Sequence, residues 1–403
     1  MTTRRGFLGM AGLAGGVALA GCSGRPRGMR AVPDALLVDT ARGLAVLRGN
    51  RCAVAGVAVV APDATTIYAT VPAPGGTRLE TIATDSGTVA ASTVLPDAWE
   101  PRIVSPDGRL VALVPPGHGA GREHSTILVA DGSGVRHRLE LAGNVVPDAF
   151  GEAGTTMFVL DWLPPAAPDR YRVRAVDLAS GKPGPLLTRT KVPVPPGAEE
   201  EMRGTARQAV FSPDLATLYT LYTNQPDHWH TRDLIAGHKA AETPAFVHTL
   251  SLAVGWAYCV DLPEPFGRGA AAGHAQAIAP DGSVLLVADC TSGHVAAVDT
   301  ESLAVRRVAA LPAATGTASA AVAPDGERLY VGAGQRVYVV AVATLAVAGE
   351  WSLPAAARGL AVSKDGSRLL IGHSGAVSWL DAASGRQLGQ VPVAGLTQVR
   401  RVA

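Results

Sequence analysis

Three groups of residues have types and spacings that could do chemistry. The first is His228-Trp229-His230, followed at a distance by His238 and His248. Imidazoles are the commonest transition-metal ligands, and in an extended chain residues i and i+2 share a face, so His228 and His230 could both reach one ion. The alternative is a solvent-exposed loop that packs Trp229 over a rim; His118 and His124, in and beside a Gly-rich loop, invite the same two readings. The second group is Glu100, Arg207, His274 and Arg358, each seven residues before the aspartate of a recurring turn. If those positions are equivalent, four polar side chains converge. They would suit a small anion or a carboxylate-bearing ligand, with the arginines offering bidentate contacts. The alternative is a water-filled channel in which Glu100 pairs with an arginine. The third group is the cysteines Cys52, Cys259 and Cys290, which stand apart from Cys22. Cys259 and Cys290 are the first choice for a disulfide because they belong to neighbouring repeats, with buried free thiols as the alternative.

The elements that must position these residues are announced by Ala277-Ile-Ala-Pro-Asp-Gly-Ser-Val-Leu-Leu-Val-Ala-Asp289, an apolar strand, a tight turn and a second apolar strand. Pro280 presets a turn φ, Asp281 can bond the backbone ahead of it, and Gly282 accepts φ > 0. Counterparts occur at Pro62-Asp63, Pro106-Asp107-Gly108, a degraded Gly151-Glu152-Ala153-Gly154, Pro213-Asp214, Pro324-Asp325-Gly326 and Lys364-Asp365-Gly366, seven copies in all. Their intervals of 44, 45, 62, 67, 44 and 40 residues centre on the roughly 40–50 of a four-stranded propeller blade. The two long intervals flank the fourth copy and carry insertions. After each hairpin comes a third strand ending in Asp and a turn, as in Val295–Asp299, and then a more polar fourth strand holding Arg306 and Arg307. Charge on that strand fits a solvated blade edge.

The fold class expected is therefore all-β, a β-propeller of four-stranded blades closed by N- and C-terminal strands. Seven blades are favoured by the count of turns. Eight are the alternative, because Ala35–Leu47 and Leu396–Ala403 look like complementary parts of one further, mixed blade. The aromatic-rich segment through Trp256, Tyr258 and Phe266 reads as blade-four strands and a Pro-rich crossing, its rings filling the space between blades.

These motifs resemble the YVTN-type and WD40-like β-propeller repeats of bacterial surface and periplasmic proteins, over nearly the whole chain after residue 34. That repeat family spans lactonases, quinone-dependent dehydrogenases, nitrite reductase propellers and binding scaffolds, so it implies a fold and not an activity. At the N-terminus, Thr3-Arg4-Arg5-Gly6-Phe7-Leu8 resembles a twin-arginine export motif and Leu19-Ala20-Gly21-Cys22 resembles a lipobox. In lipoproteins of this kind cleavage precedes the cysteine, so the resemblance implies a signal peptide over residues 1–21, lipidation of Cys22, a tether over 22–34 and a single propeller domain over 35–403. The apolar run between the motifs is shorter than the roughly 20 residues needed to span a bilayer.

Composition narrows the function classes. With 35 basic and 34 acidic residues the formal net charge is +1, which recommends neither nucleic acid nor cation storage. The chain holds no Gly-x-Ser-x-Gly elbow, His-Glu-x-x-His, P-loop or Cys-x-x-Cys-His haem attachment. The expectation is a lipid-anchored, extracytoplasmic binding module on the outer face of the cytoplasmic membrane. No cofactor is required, although His228 and His230 admit a divalent metal. Its partners would be the membrane through Cys22 and an envelope protein, a cell-wall polymer or a small anionic ligand, with no nucleic acid. The alternative is a metal-assisted, lactonase-like hydrolase with Glu100 and His274 at the channel mouth. It ranks second because lactonases surround their ion with several carboxylates or amides, and this ring has one carboxylate against two arginines.

Overall fold

The computed structural model describes residues 31–117, 121–203, 206–225, 228–238 and 243–403, with Ala206 and Arg207 described by backbone alone. The signal peptide, Cys22 and His118 lie outside these residues. The first strand begins at Val32 and pairs Val32 with Gly49, so the end of the stretch assigned to a tether is already sheet.

The turn stretch folds as its residues dictate. Ala279 N–H donates to Val284 O at 2.9 Å, Gly282 N–H to Ala279 O at 2.9 Å, and Ser283 N–H to Asp281 Oδ1 at 3.0 Å, with Gly282 at φ +77°. Where the copy lacks glycine, Ala64 and Leu215 take the same left-handed conformation, at φ 64° and 61°. Blade 5 illustrates the unit. Strands His274–Ile278, Val284–Asp289, His294–Asp299 and Ala304–Ala310 pair antiparallel in sequence order. Its outer strand is largely exposed, and there Arg306 pairs with Asp299 while Arg307 Nη1 donates to Ala343 O at 2.8 Å.

Successive side chains of a strand face opposite sides, and both sides are covered. Leu285 and Val287 pack toward blade 4, whereas Leu286 and Ala288 pack toward blade 6. That is why the middle strands are nearly continuous apolar runs. Trp256, Tyr258 and Phe266 join the core between blades 4 and 5, as their aromatic density suggested.

The pairings give six four-stranded sheets and one of seven strands, in which Arg51–Val60 serves two partners. Its first half pairs with Gly43–Gly49 and its second half with Thr66–Ala73, with the bend at Gly56, φ +79°. The described strands therefore form eight four-strand sets. Numbering the blades by their turn motifs, blade 8 is the closing set made by Leu396–Val402, Val32–Thr40, Gly43–Gly49 and the first half of Arg51–Val60. Eight apolar cores join consecutive blades, and those of blades 7 to 8 and 8 to 1 complete the ring. The preference for seven blades thus gives way to eight. The turns undercount because the motif joins a blade's inner strand to its second strand, and in the closing blade those two strands, Leu396–Val402 and Val32–Thr40, lie at opposite ends of the chain. Arg401, half-buried, fastens that closure by donating from Nη2 to Ala61 O and from Nη1 to Pro62 O, each at 2.5 Å.

Candidate metal centre

Blade 4 departs most from the repeat, and its two insertions meet. The segment before its first strand carries Glu199-Glu200-Glu201, and the segment between its second strand, Thr217–Thr223, and its third, Phe246–Ser251, carries His228 and His230. Among the described residues, Glu200, His228 and His230 form a group whose ligand atoms all lie within 4.8 Å of one another. His228 Nε2 is 2.8 Å and His230 Nδ1 2.9 Å from Glu200 Oε1, and the two nitrogens are 3.2 Å apart.

The local backbone explains why both rings point the same way. His230 is extended, at φ −74° and ψ 153°, before a short helix, Thr231–Ala236. Both histidines are buried while Trp229 between them is half-buried, the alternation expected of an extended pair. Phe246, fully buried on the third strand, sets the planes: the His228 ring stacks on it at 4.2 Å and the His230 ring meets it edge-on at 4.9 Å.

The remaining ring nitrogens also have acceptors behind them. His230 Nε2 lies 2.5 Å from Asp261 Oδ1, and His228 Nδ1 lies 3.3 Å from the Glu201 carbonyl. A carboxylate or carbonyl behind each imidazole, holding its N–H, is the usual support of a metal-ligating histidine. In the tautomers so held, His228 Nε2 and His230 Nδ1 present lone pairs to an ion; without one, the same nitrogens can carry a proton and donate to Glu200 Oε1. Atoms of this kind 2.8–3.2 Å apart are held together either by protons or by a cation among them. A tetrahedral ion with bonds of about 2.0–2.1 Å would hold its donors about 3.3–3.4 Å apart, so the cluster fits such an ion with a few tenths of an ångström of relaxation.

Electrostatics agree with this chemistry. Burial by itself would raise the Glu200 carboxyl, but the two imidazoles overcome it and hold the group well below the usual carboxylate range. Burial would lower His230, yet its hydrogen bonds to Asp261 and Glu200 push it up to about 9. A proton on His230 can thus serve as the cation that a metal would replace. Burial, and then the negative charge of Glu200, push the Cys259 thiol well above its usual value. The thiol donates to Glu200 Oε1 at 2.8 Å.

A cavity of about 320 Å3 between blades 3 and 4 reaches the cluster. Val173, Leu186, Val194 and Met202 make its apolar walls, and Glu200, His230, His248 and Cys259 its polar end. At its margin the guanidiniums of Arg189 and Arg232 each lie 5.3 Å from the Tyr258 ring centroid. Arg232 Nη1 donates to Cys259 O at 2.6 Å, and Nη2 pairs with Asp261.

The other residues singled out in the sequence go elsewhere. His274 starts the inner strand of blade 5, as the spacing required, but it is fully buried and its Nε2 lies 3.0 Å from Asp289 Oδ2. Its Nδ1 lies 3.1 Å from Ala270 O, and Gly267 N–H donates to Asp289 Oδ2 at 3.3 Å. His274 therefore ties a loop to its own blade and leaves the expected channel ring. Glu100 opens the inner strand of blade 2, half-buried, and Arg358 Nη1 donates to Leu396 O at 2.8 Å. Arg207 pairs with Tyr222 through its backbone; its side chain lies outside the described residues. Cys259 and Cys290 are both buried free thiols, not a disulfide. Cys259 belongs to the core between blades 3 and 4, and Cys290 to that between blades 5 and 6. His124 and His238 are exposed, at the start of a strand and just beyond the short helix.

Glu200 and Asp261 escaped the sequence reading. The available signal was that both long intervals flank one repeat, with an acidic triplet in one and a histidine pair in the other.

No protein-family model matches the chain, and no curated protein matches it. Among solved structures it is similar to apo AztD from Citrobacter koseri, with TM-score 0.57, 15% identity, and coverage of 93% of this chain and 98% of that one. It is similar to the dihydro-heme d1 dehydrogenase NirN in complex with DHE, with TM-score 0.50, 15% identity, and coverage of 91% and 75%. Sqt1 from Saccharomyces cerevisiae aligns with TM-score 0.51 and 8% identity over 84% and 86%. At these identities the likeness is one of fold, and the fold is the β-propeller.

Proposed function

We propose that this chain is an exported, lipid-anchored β-propeller that binds a divalent transition metal in the cleft between blades 3 and 4. One observation carries the reading: Glu200, His228 and His230, brought from two separate insertions, present three convergent electron-pair donors with their outer nitrogens held by Asp261 and the Glu201 carbonyl. Two imidazoles and a carboxylate suit zinc and its first-row neighbours, and are a poor match for magnesium or calcium, which prefer all-oxygen shells. The eight-bladed ring supplies the rigidity, and the cavity supplies a route by which the ion reaches the cluster. The export and anchoring part of the reading is supported by the arginine pair and lipobox ending at Cys22. A Cys22→Ser chain that still partitions with membranes would overturn that part.

The metal part is tested by stripping the purified chain with a chelator, reloading it with zinc and measuring bound metal. About one zinc per chain is expected, reduced to background in a His228→Ala, His230→Ala double variant whose circular dichroism is unchanged. Equal uptake by both proteins would remove the site. Release into the soluble fraction on Cys22→Ser, with metal uptake retained, would show that anchoring and binding are separable.

A further inference from the structure

The oxygen that gathers the two histidines also gathers a thiol. Around Glu200 Oε1 stand His228 Nε2 at 2.8 Å, His230 Nδ1 at 2.9 Å and Cys259 Sγ at 2.8 Å. The thiol thus adjoins the histidine–carboxylate group through its oxygen, while Cys259 Sγ itself stands outside the set of ligand atoms that lie within 4.8 Å of one another. An ion with bonds of about 2.0–2.1 Å to nitrogen and about 2.3 Å to sulfur would sit among the four residues once Cys259 turns its thiol toward the imidazoles. The carboxylate can turn aside and still bind, because among the described residues its second oxygen is tethered only by Thr231 N–H at 3.4 Å.

Resting on the metal reading above, we infer that Cys259 is a fourth protein ligand, completing a closed two-histidine, one-carboxylate, one-thiolate shell for a thiophilic divalent ion of the zinc and cadmium class. Cys259 lies on the strand Ala257–Asp261, directly opposite His248 in register, and is buried. Residue 261, two positions on, holds His230 from behind. One short strand thus supplies both a ligand and the support of another, which ties the geometry of the shell to the sheet. Neither other described cysteine can serve: Cys290 lies in a different core, and Cys52 is exposed on the outer strand of blade 8.

The consequence is functional. Metal sites that catalyse keep a position open for water or substrate, whereas sites filled by four protein ligands hold their ion. Filling the fourth position from Cys259 makes the centre a holder of metal rather than a hydrolytic one. Binding forms the metal–sulfur bond and breaks S–H, the proton leaving through the cavity to solvent.

Cobalt(II) is the probe, loaded into the chelator-stripped full chain and into the Cys259→Ser and Cys290→Ser variants. A thiolate-to-cobalt charge-transfer band is expected in the parent and in Cys290→Ser and is expected to vanish in Cys259→Ser. The visible ligand-field bands of cobalt held by the two histidines and Glu200 should persist there. Stoichiometric cobalt in the parent with no charge-transfer band would overturn the thiolate ligand and leave the three-donor site standing. Failure of the folded parent to take up cobalt at all would overturn both. Retention of the band in Cys259→Ser would assign the sulfur elsewhere and overturn the inference.

Discussion

Asp261 Oδ1 lies 2.5 Å from His230 Nε2, and this contact decides which nitrogen of His230 faces Glu200. The aspartate is itself held by Arg232 from the first turn of the short helix. An imidazole supported from behind is both oriented and made more basic. Replacing Asp261 with Asn keeps the shape but removes the charge. Zinc affinity is expected to fall by roughly 10–100-fold, the usual effect of losing such a support. Competition against a chromophoric chelator measures it, and an unchanged affinity would mean that His230 is not a ligand.

Phe246 is the surface against which both imidazoles are set. Phe246→Leu keeps an apolar side chain but loses the flat face and leaves a small void. A stability loss of about 1–3 kcal/mol is expected from such a core change, together with weaker zinc binding at full occupancy of the folded state. Denaturant midpoints and metal titration separate the two effects. Loss of stability with unchanged affinity would show that the rings find their positions without it.

The buried pair His274 and Asp289 gives the fold an acid limb. Burial by itself would raise the Asp289 carboxyl, but hydrogen bonds from His274, Thr291 and Ser292 outweigh it and hold the group far below its usual value. A carboxyl depressed in the folded state contributes stability above its unfolded value of about 3.9, and that contribution is lost as pH falls toward the folded value. The parent should therefore lose stability more steeply below about pH 4 than Asp289→Asn, which lacks this component. Urea midpoints at several pH values test it; parallel curves would exclude Asp289 as a source of the acid limb.

Closure of the ring depends on Arg401. Arg401→Met leaves the Ala61 and Pro62 carbonyls without this partner. A cost of about 1–3 kcal/mol is expected for buried acceptors so abandoned. Removing residues 396–403 altogether would strip the inner strand from blade 8 and expose Leu36–Thr40 as an unpaired edge, which invites pairing with other chains. Size-exclusion chromatography should show aggregates for the truncation and a monomodal, less stable protein for Arg401→Met. Normal behaviour of the truncated chain would contradict closure by this strand.

Much of this was legible in the sequence because the repeat is a local code. Proline, aspartate and glycine at fixed offsets specify a turn through the dihedrals each allows, and apolar runs on either side specify strands buried on both faces. Those signals located the blades, the closing role of the termini, and the two insertions of blade 4 that hold the candidate centre. The seven-residue ruler also reached the inner strands: Glu100 and His274 begin theirs. A position along a strand does not fix what the side chain meets, however. His274 turns into its own blade toward Asp289, and the seven turns could not reveal an eighth blade built from strands at opposite ends of the chain.

The pairing of distant groups was left to tertiary structure. His228 and His230 share a face for a local reason, the two-residue period of an extended chain, so their partnership could be read directly. Glu200 comes from a different insertion, and Asp261 and Cys259 from the outer strand of the blade. Only the folding of both insertions over the cleft between blades 3 and 4 brings a carboxylate, two imidazoles and a thiol together. Spacing in sequence sets where each strand starts, but the distance between side chains on separate loops is set by the packing of the blades that carry them.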